Sequence, residues 1–166
     1  MLIFKTTQLE ECGVASFHVS NSLVPEDEVF ALFGAWAEKN NLFETYRFIP
    51  ALGFNHPFGK IGQKRGYEIW VFIDRIHEAD LSGLTIKTFH GGLFAVTTIP
   101  GLDLISEYSR RLREAVDAHP LYETDYPADY RHGIDPCPEY EMLYTPNATR
   151  EQDFILDYFI PIRRRV

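Results

Sequence analysis

An α+β fold of two tandem βαββ modules, with an antiparallel sheet and two helices on one face, is what this sequence predicts. Three observations predict it. Two strand-like octamers, YEIWVFID at 67–74 and LDYFIPIR at 156–163, share an acid at the second position (Glu68, Asp157) and an aromatic at the fourth (Trp70, Phe159). Upstream, GVASFHV at 13–19 answers GLFAVTT at 92–98, and each is followed by a proline and then a helical pattern. The offset between paired segments grows from the first pair to the second, as a duplication with an extra loop in the second copy would produce. The expected halves of this single domain are approximately 1–80 and 81–166. A duplicated small domain also creates a cleft between its halves, where ligands bind.

The elements follow in order. Residues 9–19 read as the first strand and 26–39 as a helix, because Val29, Phe30, Phe33, Trp36 and Ala37 recur at helical spacing. Pro25 suits the first helical position, and Glu26, Asp27 and Glu28 complement the positive end of the helix dipole. Residues 46–54 read as a strand, 56–66 (HPFGKIGQKRG) as a hairpin turn with a solvated basic tip, and 67–74 as the strand after it. In the second half, 84–99 reads as one long strand bent at Gly91-Gly92. Residues 103–118 form a helix on Ile105, Tyr108, Leu112, Ala115 and Val116, stopped before Pro120. The Pro- and Tyr-rich stretch 119–138 is the extra loop, and 139–145 and 155–163 are the last strands, about eight in all. Each helix is one-sided and is expected to cover one face of the sheet.

Side chains in a strand alternate between faces. Tyr67, Ile69, Val71 and Ile73 therefore share a core face, with Glu68, Trp70 and Phe72 opposite. Leu156, Tyr158, Ile160 and Ile162 share the matching face, with Asp157, Phe159 and Pro161 opposite. In 139–145, Glu139, Glu141 and Leu143 fall on one side and Tyr140, Met142 and Tyr144 on the other. One sheet face thus combines carboxylates with aromatic rings, which attracts a flat organic cation by charge and by cation–π contact. The same pattern fits acids that are simply solvated on an open face.

Composition narrows the function classes. The 166-residue chain is 45% hydrophobic and 14% aromatic, with nine Tyr, thirteen Phe and two Trp, so it is globular and can fill a core. A net charge of −8 argues against nucleic-acid binding, which needs a basic stripe. The N-terminal MLIFKTTQLEECGV lacks the apolar core of a secretion signal, and no run approaches a membrane span. Two cysteines, Cys12 and Cys137, read as free thiols in a reducing cytoplasm, where the Asn147-Ala148-Thr149 sequon carries no meaning. Six scattered histidines show no paired metal spacing, and no metal is expected, including at His132, Asp135 and Cys137 in the Pro-rich loop. GKIGQKRG matches no phosphate-binding loop, and no Gly-x-Ser-x-Gly elbow occurs. The terminal Arg163-Arg164-Arg165 reads as a frayed, solvated end.

Read together, YEIWVFID, the run LTIKTFHGGLFAVTTIPG leading into LDLISEYSRRL, then EYEMLYTPN and the closing LDYFIPIR resemble the DNA-gyrase-inhibitor-like (GyrI-like) effector-binding domain, the ligand-sensing module of AraC- and MerR-type multidrug regulators. The resemblance is clearest from 67 to 163. It implies the paired βαββ fold and a hydrophobic cleft for lipophilic, often cationic molecules, with no cofactor. It implies Glu141 as the charged anchor, with Trp70 and Tyr108 lining the pocket; Glu68 and Phe159 join them as ligand-binding candidates from the face pattern. Two departures from the family are expected: a stand-alone binder without a DNA-binding helix-turn-helix, and a pocket altered by the insertion at 119–138.

Three function classes follow. The first is a small-molecule binder that senses or sequesters drugs or toxins. The second is a hydrolase opening strained, cyclopropane-bearing toxins, with Glu141 and Tyr108 (better placed by parity than Tyr144) moving the proton. The third is an interaction module whose protein partner is a regulator or DNA gyrase.

Overall fold

The computed structural model of the protein describes residues 2–144 and 150–166, so the Asn147-Ala148-Thr149 sequon lies outside the described residues. The strands are β1 (Lys5–Leu9), β2 (Cys12–Ser22), β3 (Ala51–Asn55), β4 (Arg65–Phe72), β5 (Thr85–Phe89), β6 (Gly92–Ile99), β7 (Tyr122–Thr124), β8 (Tyr140–Leu143) and β9 (Leu156–Arg164). The helices are α1 (Pro25–Lys39), the single turn α2 (Leu42–Thr45) and α3 (Ile105–Asp117). The fold is antiparallel α+β with few helices. No helix among the described residues is long and apolar enough to cross a membrane.

The chain divides into two units. One comprises residues 11–90 and 131–137, and is called here the Glu68 unit; the other comprises 1–10, 91–130 and 138–166, the Asp157 unit. In the Glu68 unit the strand order is β3-β4-β2-β5. Alternation sends Ala15, Phe17, Tyr67, Ile69 and Val71 to one face, where Val29, Phe33 and Ala37 of α1 cover them. Burying each larger apolar side chain in that contact contributes about 2 kcal/mol. Pro25 opens α1, and Ser22 fixes its entry by accepting the Val24 amide (3.0 Å) and donating to Glu28 (2.6 Å).

In the Asp157 unit the order is β1-β6-β9-β8, with β7 paired to the C-terminal part of β9. Here Ala95, Ile99, Tyr158, Ile160 and Ile162 pack with Leu112 and Val116 of α3, the face that the periodicity of both segments predicts. Each unit thus carries one long helix on one face of its strands and leaves the other face uncovered by it.

Several expectations need correcting. The run 84–99 is two strands, because Gly91 adopts φ +71° and the chain changes partner there: β5 pairs with β2, whereas β6 pairs with β1 and β9. A Cβ at Gly91 would collide with the Leu9 backbone, so glycine is required at this crossover. The expected strand 9–19 instead runs from Cys12 to Ser22, and Lys5–Leu9 before it is a strand of its own. The expected strand 46–54 begins only at Ala51: α2 takes the chain up to Thr45, and Pro50 has no amide to give a ladder. The insertion 119–138 is not all loop, since it contains β7. Nor is the arginine run frayed. Arg163 and Arg164 belong to β9, Arg163 pairs with Glu123 (2.8 Å), and Arg165 donates to the Tyr122 and Asp117 carbonyls (2.8 and 2.9 Å).

Candidate functional site

The helix-free face of the Glu68 unit carries the acid–aromatic pattern. Cross-strand register sets Glu68 directly opposite His18 on β2 and Phe54 on β3, and Trp70 opposite Ser16 and Leu52. Residue 56 lies two positions beyond Phe54, so His56 reaches the same side. A Cβ at Gly66 would overlap the His56 carbonyl; glycine lets the turn close, with the His56 amide bonded to the Gly66 carbonyl at 3.0 Å. Glu68 is fully buried. Its Oε1 accepts from Ser16 Oγ (2.6 Å), Trp70 Nε1 (2.6 Å) and Lys87 Nζ (2.5 Å), and its Oε2 accepts from His56 Nδ1 (2.5 Å). His18 Nε2 donates to the His56 carbonyl (2.7 Å), and the two imidazoles stack with centroids 4.2 Å apart. Burial pushes the Glu68 carboxyl up, but the bonds from Lys87, Ser16, His56 and Trp70 more than offset it and hold the pKa at about 2. Glu68 is therefore an ionised carboxylate already matched by an ammonium.

The helix-free face of the Asp157 unit has the same frame and different chemistry. Asp157 stands opposite Thr98 and Met142, and Phe159 opposite Val96 and Tyr140. Asp157 is buried, with Oδ1 accepting from Thr98 Oγ1 (2.6 Å) and Oδ2 from the Tyr144 hydroxyl (2.6 Å). Among the described residues no Lys, Arg or His forms a salt bridge with it. Burial and the neighbouring carboxylate push the Tyr144 phenol well above its ordinary range, so it stays a neutral donor. Phe94 meets both Tyr140 and Phe159 edge-on at centroid distances of 5.9 and 6.1 Å. The result is a carboxylate held by hydroxyls beside a cluster of rings.

A third buried acid escaped the sequence reading as a site residue. Glu139 accepts from Arg113 of α3 (2.6 Å), from Tyr158 of β9 and from Tyr126 of the insertion. It ties helix, sheet and insertion together. Because its cation comes from α3, its role is architectural, and the insertion's tyrosines gave no hint of this partner.

The other candidates fall as follows. Trp70 joins Glu68 by a hydrogen bond. Phe159 is buried on the Asp157 face. Glu141, half-buried on β8, stands opposite Tyr158, whose ring lies in the core beneath α3. Tyr108 packs against that same core, with Arg111 over its ring at 5.7 Å. Glu141 and Tyr108 are thus both in the Asp157 unit on the helix-covered side. In the Pro-rich loop, Asp135 is engaged by Arg131 (2.6 Å), and His132 lies against Phe58.

One cluster has the donor types of a metal site. An imidazole nitrogen each from His18 and His56 and a carboxylate oxygen of Glu68 lie within 4.8 Å of one another. The three residues are distant in sequence, so spacing motifs could not reveal them; only the register of three strands does.

No family model and no curated protein matches the chain in sequence. Solved structures do match in fold. The structure of SAV2435 bound to tetraphenylphosphonium aligns with a TM-score of 0.56 at 12% identity, over 98% of this chain and 94% of that one. A hydrolase encoded by lin2189 from Listeria innocua gives 0.65 at 10% identity, over 96% and 91%. The C-terminal domain of EcmrR gives 0.58 at 9% identity, over 99% and 100%.

Proposed function

We propose that this chain is a GyrI-like effector-binding domain built from two βαββ modules, and that it binds a lipophilic organic cation at Asp157. The observation that carries this reading is a buried carboxylate whose side-chain partners among the described residues are hydroxyls, on a face shared with Phe94, Tyr140 and Phe159. A buried charge without a countercharge is costly. An organic cation relieves that cost and gains cation–π contact with the rings. Two further facts support the reading. The order β3-β4-β2-β5 of one unit is matched by β8-β9-β6-β1 in the other, β7 being the strand without a counterpart, and this supports duplicated modules. A protein of like fold has been solved with tetraphenylphosphonium.

The test is calorimetric titration of the full chain with tetraphenylphosphonium and with a neutral triphenyl compound. Asp157→Asn is expected to weaken the cation at least about tenfold, the scale of a charged contact, and to leave the neutral compound nearly unchanged. The family resemblance implies Glu141 as the anchor, so Glu141→Gln is titrated beside it. Loss confined to Glu141→Gln would move the anchor there, and loss in neither variant would end the cation-binding reading.

A second reading, hydrolysis of a strained cyclopropane-bearing compound, draws on the likeness to the Listeria innocua hydrolase. It gives Glu141 and Tyr108 the proton transfers. Mass spectrometry of any bound compound after incubation separates the two: recovery unchanged supports binding alone, and water addition supports hydrolysis.

A further inference from the structure

We propose that His18, His56 and Glu68 form a binding site for a divalent transition-metal ion of the zinc class. Two imidazoles and one carboxylate are the borderline nitrogen and oxygen donors that Zn²⁺ and its neighbours prefer, and three protein ligands with an open position are the pattern of a reactive rather than a structural centre. The donors already lie within 4.8 Å of one another. Ligands at about 2.1 Å around a tetrahedral ion are about 3.4 Å apart, so side-chain shifts of about 1 Å assemble the set.

The carboxylate is prepared for this role. Its Oε1 is fixed by Ser16, Trp70 and Lys87, and among the described residues its Oε2 accepts from His56 alone. Oriented ligands of this kind, held by an outer shell of hydrogen bonds, are characteristic of metal sites. Entry is open as well: the His18 side is exposed, and the His56 side chain retains 22% of its exposure while Glu68 has none. On binding, the ion replaces the proton shared between His56 Nδ1 and Glu68 Oε2, and that proton leaves to solvent. Lys87 remains on the other oxygen, and its charge lowers the affinity without occupying the ligand position. The register-equivalent positions in the Asp157 unit hold Thr98 and Tyr144, hydroxyls that are poor ligands for such ions, so the site belongs to one unit only.

The experiment uses the untagged full chain, freed of metal and titrated with Zn²⁺ by calorimetry and with Co²⁺ by visible absorption. The expected result is one ion per chain with a Kd on the order of 10 µM or tighter, and a Co²⁺ spectrum of low coordination number. His18→Ala and His56→Ala should each weaken binding by about tenfold or more; His18 is exposed, so its variant keeps the fold, checked by circular dichroism. Cys12→Ser with Cys137→Ser, and His90→Ala, should leave binding unchanged. No binding at about 1 mM ion, undiminished binding in both histidine variants, or loss on removing the thiols would each overturn the proposal.

Discussion

The two helix-free faces hold an acid at the same register position and surround it with opposite chemistry. Around Glu68 the neighbouring positions are His18 across the ladder, His56 two residues beyond the facing strand's Phe54, and Lys87 on the edge strand. Around Asp157 the matching positions are Thr98, Tyr144 and, on the edge strand, Thr7. One frame therefore yields an ammonium-paired carboxylate and one held, among the described residues, by hydroxyls. The difference teaches that burial of an acid does not define its role. The supply of a countercharge does, and in these units it comes down to one edge-strand residue, Lys87 against Thr7.

The largest expected effect breaks the closed network. Glu68→Leu leaves the Lys87 ammonium and the Ser16 and Trp70 donors without their acceptor, and removing one member of a buried pair costs about 3–5 kcal/mol. The partial exposure of Lys87, 34%, puts the expected loss at the lower end. Urea denaturation measures it. The double variant Glu68→Leu with Lys87→Met should recover part of the loss; a double variant no better than the single one would mean that the ion pair is not what makes Glu68 necessary.

Acid titration sharpens the same contrast. The folded-state pKa of Glu68, about 2, lies below its ordinary 4.5, so the folded chain binds fewer protons between those values. Its contribution is complete above about pH 4.5 and is lost as the pH falls toward 2. The shift corresponds to about 3 kcal/mol across that window. In Glu68→Gln the unfolding free energy should fall less steeply over the same window. An acid limb identical to that of the unmodified chain would place the depressed carboxyl elsewhere.

Ligand affinity comes next. Asp157→Asn should change stability by only about 1 kcal/mol, since the amide oxygen can accept from one of the two hydroxyls while the amide NH2 donates to the other. It should nevertheless cost at least about tenfold in tetraphenylphosphonium binding. The matching Glu68→Gln should spare that affinity, because Glu68 already has its cation. Equal losses from both would erase the distinction drawn between the two faces.

Much of this was legible before the structure. Period-two alternation assigned Ile69 and Val71, and Ile160 and Ile162, to covered faces, and assigned Glu68, Trp70, Asp157 and Phe159 to the opposite ones. Pro25 with three following acids announced α1. What stayed hidden was pairing at long range. Gly91 reads equally as a bend or a crossover, and only the partners of β5 and β6 decide. The same holds for the acids. Nothing local in YEIWVFID brings Lys87 or His56 to Glu68, and nothing in EYEMLY brings Arg113 to Glu139. The arginines at the C-terminus looked solvated because Glu123, their partner, lies about forty residues earlier in the insertion.

The smallest expected effect is also the one most diagnostic in sign. Tyr144→Phe removes the hydroxyl from Asp157 Oδ2 and leaves Thr98 on Oδ1. Loss of one hydrogen bond to a charged acceptor costs about 1–2 kcal/mol of stability, less here because Tyr144 is exposed enough for water to reach its place. Its effect on ligand binding should run the other way. A carboxylate with fewer donors gains more from an incoming cation, so tetraphenylphosphonium affinity should rise a few-fold in Tyr144→Phe while it falls in Asp157→Asn. Opposite signs at two atoms in hydrogen-bond contact are hard to obtain from a general loosening of the face, which would weaken both. A fall in Tyr144→Phe would instead mean that the phenol itself meets the ligand, and Asp157 would then act by holding that phenol rather than by charge.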